Sequence, residues 1–156
     1  MTVWLALGSN LDNPEQQLSK TINYIKEKCY ITVMNRSRVV ITKPEEYTGQ
    51  PDFANQILEI ETTLSPQELL AFCKATEIAL GRQPSVPKGP RLIDIDIMFY
   101  NNDVIESETL TIPHPAIVKR FYLLELLNEM IPDYVHPNLG KTVHELYFDF
   151  INKGGL

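Results

Sequence analysis

Read for the spacing of its apolar residues, the chain opens on a short run, Val3 to Leu7, that predicts a strand ended by Gly8, a residue able to supply a turn. The period then lengthens. Leu18, Ile22 and Ile25 recur at helical spacing behind Asn13 and Pro14, a fitting N-cap and first helical residue, so a helix is expected that stops near Lys28. Tyr30 to Ile41, rich in Ile, Val and Thr, predicts a second strand, and Thr42 to Asp52, with Pro44, Gly49 and Pro51, a turn-rich connection. Phe53 to Thr62 is the third strand. Ser65-Pro66-Gln67-Glu68 then has the form of a capping box, Leu69, Cys73, Thr76 and Leu80 mark the inward face of the helix behind it, and Gly81 suits its C-terminal end. Beyond a loop holding Pro84, Pro87, Gly89 and Pro90, Leu92 to Tyr100 gives the strongest strand signal of the chain. Phe121 to Met130 reads as a helix stopped by Pro132, and Thr142 with Glu145 forms the cap of a last one.

Strand, helix, strand, strand, helix, strand is the order of an α+β, ferredoxin-like fold: a βαββαβ antiparallel sheet with helices packed on one face, here followed by extra C-terminal helices. No repeat, low-complexity tract or linker interrupts the 156 residues, so a single domain over 1–156 is expected.

Charge narrows the partners. A net charge of −6 and an isoelectric point near 5.0 weigh against nucleic acid, whose phosphates reward a basic face, and leave small molecules as the expected ligands. The N-terminal apolar run is too short for a signal-peptide core, and no stretch is long enough to cross a membrane. Cys29 and Cys73 match no metal or redox spacing and read as thiols of a reducing compartment, which makes a cytoplasmic monomer the expectation.

Candidate chemistry concentrates in Gly89-Pro90-Arg91-Leu92-Ile93-Asp94-Ile95-Asp96-Ile97. Alternation in a strand puts the three isoleucines on the core face and both carboxylates on the other, about 6.5 Å apart, where they can lean together on hard cations. An Asp-x-Asp alone also suits a solvated strand face. Aspartate is a poor strand former, however, and Arg91 brings a fixed cation to the strand's entrance, as phosphate binding beside a metal requires. Pro113-His114-Pro115 with Lys119-Arg120 is a second cationic place; no Cys, His or Glu lies at zinc spacing to His114, and a phosphate donor fits it better. Arg82 and Lys88 add to these cations. Phe53 and Asn55 share one strand face and Tyr122 follows the cationic pair, which is what a flat heterocycle needs: rings to stack on and an amide to read its edge.

Taken in order, Leu7-Gly8-Ser9-Asn10-Leu11, Gln50-Pro51-Asp52-Phe53-Ala54-Asn55, Glu77, Gly81-Arg82, Gly89-Pro90-Arg91, Asp94-Ile95-Asp96-Ile97 and Leu110-Thr111-Ile112-Pro113-His114-Pro115 resemble the 6-hydroxymethyl-7,8-dihydropterin pyrophosphokinase family over nearly the whole chain. The resemblance implies transfer of pyrophosphate from ATP to the pterin's hydroxymethyl oxygen, with AMP leaving, in folate biosynthesis. It implies two magnesium ions on Asp94 and Asp96, and a catalytic set of these two with Arg82 and Arg91. ATP would be held by Glu77, Arg82, Arg91, Ile97, His114 and Arg120, and the pterin by Thr42, Pro44, Asn55 and the rings of Phe53 and Tyr122. Where the family often carries a glutamine one turn before Glu77 this chain has Lys74, and Pro87-Lys88 stands where a basic and an aromatic residue are common.

Overall fold

Strand β1 (Thr2–Ser9) forms the middle of an antiparallel sheet in the computed structural model, which describes residues 1–44, 49–81 and 92–154. One neighbour of β1 carries residues Phe53–Thr62 and the other Asp94–Tyr100; in chain order these are β4 and β5. Both β2 (Ile31–Arg36) and β3 (Val40–Thr42) pair with the far side of β4. The spatial order β2-β4-β1-β5, with helix α1 (Pro14–Lys26) after β1 and α2 (Pro66–Ala79) after β4, is the ferredoxin-like order that the element succession predicts.

The predicted second strand is broken in two, and the cause is Ser37. Its N–H donates to the Ile57 carbonyl at 2.9 Å, and its Oγ accepts the Ile57 N–H at 2.8 Å. A side-chain oxygen thus holds the ladder position of a backbone carbonyl, and the register slips: Arg36 lies opposite Leu58, but Val40 opposite Asn55. Gly8 is likewise no turn. It sits inside β1, paired on both sides. The last predicted strand begins at Asp94 rather than Leu92, and α1 ends at Lys26. Asn13 does occupy the N-cap position of α1, at a left-handed φ of 58°, but its side chain makes no capping bond. The capping boxes of Ser65 with Glu68 and Thr142 with Glu145 both form.

Alternation along β1 divides its side chains between two cores. Val3, Leu5 and Leu7 pack with Leu18, Ile22 and Ile25 of α1, Leu69 and Cys73 of α2, and Ile93, Ile95 and Ile97. Trp4 faces the other way, where Ile57, Met98 and Phe99 meet Leu123, Leu124, Leu126 and Leu127 of α3 (Phe121–Met130) and Val143 and Leu146 of α4 (Val143–Asn152). The second face of the sheet is therefore not the solvated one that alternation in β5 suggests. A bulge opposite Trp4 turns both Met98 and Phe99 onto it, and the C-terminal helices cover that half. The half left uncovered holds the upper end of β1 and the start of β5. A two-stranded ribbon, β6 (Ile105–Glu106) with β7 (Thr111–Ile112), leads into a 3-10 turn at Pro115–Val118 that delivers the chain to α3.

Candidate active site

Where α3 stops covering the second face, a cleft of about 390 Å³ opens against the sheet. Its floor is a register row. Gly8 lies directly opposite Asn55 on β4 and directly opposite Asp94 on β5, and one pair along Ala6 lies opposite Ile57 and Asp96. Cross-strand partners project from the same face, so Asn55 and Asp94 flank a bare glycine and Asp96 flanks an alanine. Ile93, Ile95 and Ile97 are buried on the opposite face, as alternation predicts, while Asp94 is half-buried and Asp96 exposed.

At the β4 end of the row the amide of Asn55 is fixed. Its Nδ2 donates to Thr42 Oγ1 at 2.8 Å and to the Val40 carbonyl at 3.1 Å. A carbonyl can only accept, so the nitrogen must face β3 and Oδ1 must face Gly8. Among the described residues nothing donates to this Oδ1. This side chain is thus oriented by its own strand neighbours, with an acceptor turned into the cleft. Phe53, opposite Thr42, and Tyr122, in the first turn of α3, line the same end.

At the β5 end, Glu77 of α2 is 4% exposed, and its Oε2 accepts the main-chain N–H of Ile95 at 2.8 Å. Neighbouring Cys73 is inert: burial pushes its thiol up to about 12, with the negative charges of Glu77 and Asp96 adding to the effect. From the third side come His114 and Arg120. The Nδ1 of His114 accepts the Ala116 N–H at 3.1 Å, which caps the 3-10 turn and leaves Nε2 to carry the ring proton. Arg120 precedes α3 and lines the cleft. The rim is held by Asn10, 1% exposed, whose Nδ2 donates to Gln50 Oε1 at 2.7 Å and to the Pro51 carbonyl at 3.1 Å, tying the chain just past β1 to the approach of β4.

Of the residues singled out from sequence, Thr42, Phe53, Asn55, Glu77, Asp94, Asp96, His114, Arg120 and Tyr122 line this one cleft. Pro44 is half-buried beside it without lining it, and the Ile97 side chain is in the core on the other face, 3% exposed. Arg82, Lys88 and Arg91 lie outside the described residues. Lys119 is exposed and not part of the lining, whereas two cations not singled out for this site, Lys43 and Lys74, are. Lys74 was legible: it stands three residues before Glu77, hence on the same helix face.

Among the described residues no group of three or more His, Cys, Asp or Glu is placed to hold a metal. The Asp94 and Asp96 pair offers hard oxygen donors at an open cleft, which fits magnesium, an ion that binds through one or two carboxylates and completes its shell with water and phosphate.

Comparison with known proteins points one way. Residues 4–132 match the family described as 7,8-dihydro-6-hydroxymethylpterin-pyrophosphokinase (HPPK). The chain is 36% identical over 144 residues to 2-amino-4-hydroxy-6-hydroxymethyldihydropteridine pyrophosphokinase of Aquifex aeolicus, a match covering 92% of this chain and 89% of that protein. It is 34% identical over 154 residues to folic acid synthesis protein FOL1 of Dictyostelium discoideum, covering 99% of this chain but 23% of that protein. The chain thus spans about a fifth of the length of FOL1-type relatives. A crystal structure of Plasmodium falciparum HPPK-DHPS with pteroate shares the fold, with a TM-score of 0.78 at 18% identity over 97% of this chain and 44% of that one. No helix of the described residues is long and apolar enough to cross a membrane.

Proposed function

The chain belongs to the 7,8-dihydro-6-hydroxymethylpterin-pyrophosphokinase family, and from that premise we propose that it transfers pyrophosphate from ATP to 6-hydroxymethyl-7,8-dihydropterin, releasing AMP, in folate biosynthesis. The observation that carries the reading is that a fixed amide acceptor and a pair of carboxylates open into the same cleft, two strands apart, with Phe53 and Tyr122 also in its lining.

The pterin lies at the Asn55 end. Phe53 and Tyr122 take its faces, Asn55 Oδ1 accepts from its edge, Thr42 locks the amide that does so, and Pro44 shapes the approach. The triphosphate lies at the β5 end with Glu77, His114 and Arg120, joined by Arg82, Arg91 and the main chain at Ile97. The hydroxymethyl oxygen forms a bond to the β-phosphorus and gives up its proton to solvent, the bond from that phosphorus to the bridging α–β oxygen breaks, and AMP departs with the bridging oxygen. Such a transfer asks the protein for alignment and charge neutralisation more than for covalent help, and no side chain here is assigned as general base. Asp94 and Asp96 would hold two magnesium ions, which when bound supply polarisation of the phosphates and acidify the incoming hydroxyl. The Nε2–H of His114 and the guanidinium of Arg120 donate to phosphate oxygens. Lys43 and Lys74 add positive charge that offsets the chain's acidity.

We read residues 1–156 as one domain, because both cores share the one sheet, and as a cytosolic enzyme, in keeping with its two free thiols. The test is product identity. Incubation with ATP, magnesium and hydroxymethyl-dihydropterin yields AMP and pyrophosphorylated pterin in equal amounts; ADP or free pyrophosphate as the main product contradicts the proposal.

A further inference from the structure

Among the described residues nothing accounts for the glycine in the middle of the register row. Gly8 is not in the left-handed region, so its backbone conformation does not require glycine. A Cβ built on it meets nothing closer than Asn55 Oδ1 at 3.6 Å and the Ala54 carbonyl at 4.0 Å, ordinary contact distances. A glycine inside a strand weakens that strand by giving up a side chain and by its freedom when unfolded. Neither strain nor crowding compensates here. A bare main chain also admits the close approach of a ligand, and Gly8 lines the cleft.

Resting on the function proposed above, we infer that Gly8 is a positioning residue: its bare main chain is the floor over which the pterin's hydroxymethyl arm passes from Asn55 to the phosphates at Asp94. Two strand spacings separate those partners, roughly 9.5 Å, a distance that a two-ring heterocycle with a one-carbon arm can bridge when its long axis runs along the row. Van der Waals contact puts the atoms of the arm about 3.5 to 4 Å above the strand. A methyl at Gly8 takes up about 1.5 Å of that height. The ligand then keeps its edge bond to Asn55 Oδ1 or its alignment with Asp94, but not both. Ala6, next along the same face and opposite Asp96, already carries a methyl, which confines the bare floor to the row that holds Asn55.

Gly8→Ala and Gly8→Val, compared with wild type, test this by calorimetry with hydroxymethyl-dihydropterin and with a non-hydrolysable ATP analogue in magnesium, alongside thermal melting. Gly8→Ala is expected to weaken pterin binding roughly tenfold or more, the effect of one lost hydrogen bond in a closed pocket, and Gly8→Val to weaken it further. Affinity for the ATP analogue stays within about twofold, and the melting temperature is equal or higher, since alanine restricts the unfolded strand. A stabilised protein with a specific loss for one ligand is a combination that a merely structural glycine does not give. Pterin affinity unchanged in Gly8→Ala, equal weakening of both ligands, or a lowered melting temperature overturns the inference while leaving the proposed function standing. Failure of the wild type itself to bind the pterin overturns the function, and the role of Gly8 with it.

Discussion

Glu77 Oε2 accepts the main-chain N–H of Ile95 at 2.8 Å, so a buried helix carboxylate is fastened to the one residue that separates Asp94 from Asp96. Strand β5 ends the described sheet, and its outward N–H groups need partners. Glu77 supplies one, and in doing so fixes how the two aspartates stand relative to α2.

Glu77→Ala is therefore expected to cost about 1 to 3 kcal/mol of stability in urea titration, because it strands a buried donor. Glu77→Gln keeps an amide oxygen in place and costs less. Equal losses for the two variants would show that the bond to Ile95 is not what Glu77 contributes to the fold.

The side chain of Asp96 is exposed and makes no hydrogen bond or ion pair among the described residues, so Asp96→Asn should leave stability within about 0.5 kcal/mol. Turnover in magnesium should nonetheless fall about a hundredfold or more, the scale on which removal of one electrostatic stabiliser of a transition state acts. Asp94→Asn should show the same loss of turnover. AMP release and thermal melting, measured on the same samples, decide the matter; near wild-type turnover in either variant rules out the carboxylate pair as the metal site.

Much of this site is legible in the sequence because two strands carry it and strand alternation is local. The period of two puts Phe53 with Asn55, and Asp94 with Asp96, and the structure keeps both pairings. Even the burial of Glu77 is implicit in the helical spacing of Leu69, Cys73 and Thr76. What alternation does not carry is what lies across the sheet. The break at Ser37 depends on a hydroxyl meeting Ile57 twenty residues away. Gly8 reads as a turn until its partners on both sides are known. Leu123, Leu124, Leu126 and Leu127 announce a helix but not that it covers part of the face on which Asp94 and Asp96 stand.

Asn55→Ala should weaken pterin binding by about 1 to 3 kcal/mol while leaving ATP binding nearly unchanged, since its Oδ1 faces the cleft two strands from Asp94. Calorimetry with each ligand separately measures the difference. Thr42→Val, which removes the hydroxyl that accepts from Asn55 Nδ2, should show the same selectivity with a smaller loss. Equal weakening of both ligands in Asn55→Ala would place this residue elsewhere in the reaction.

His136 is 5% exposed, and its Nδ1 accepts the N–H groups of Asn138 at 3.2 Å and Leu139 at 3.3 Å. Burial holds its imidazole below the ordinary value of 6.5. On acidification the unfolded chain takes up this proton first, so just below about 6.5 the unfolded state binds more protons than the folded one. This contribution to stability is full above that pH and is lost as the pH falls toward the folded-state value. His136→Asn, which keeps an acceptor near the Nδ1 position, should show a flatter dependence of melting temperature on pH between about pH 7 and pH 5. Parallel curves for variant and wild type would remove His136 as the source.

With AMP as the leaving group, it is the β-phosphorus of ATP that moves to the pterin. ATP labelled with 32P at the α or the β position, incubated with the enzyme, magnesium and hydroxymethyl-dihydropterin, distinguishes the possible transfers after chromatography of the products. The β-label is expected in the pterin product and the α-label in AMP, in equal molar amounts. Label from the β position found in ADP or in free pyrophosphate, with the pterin unlabelled, would contradict it.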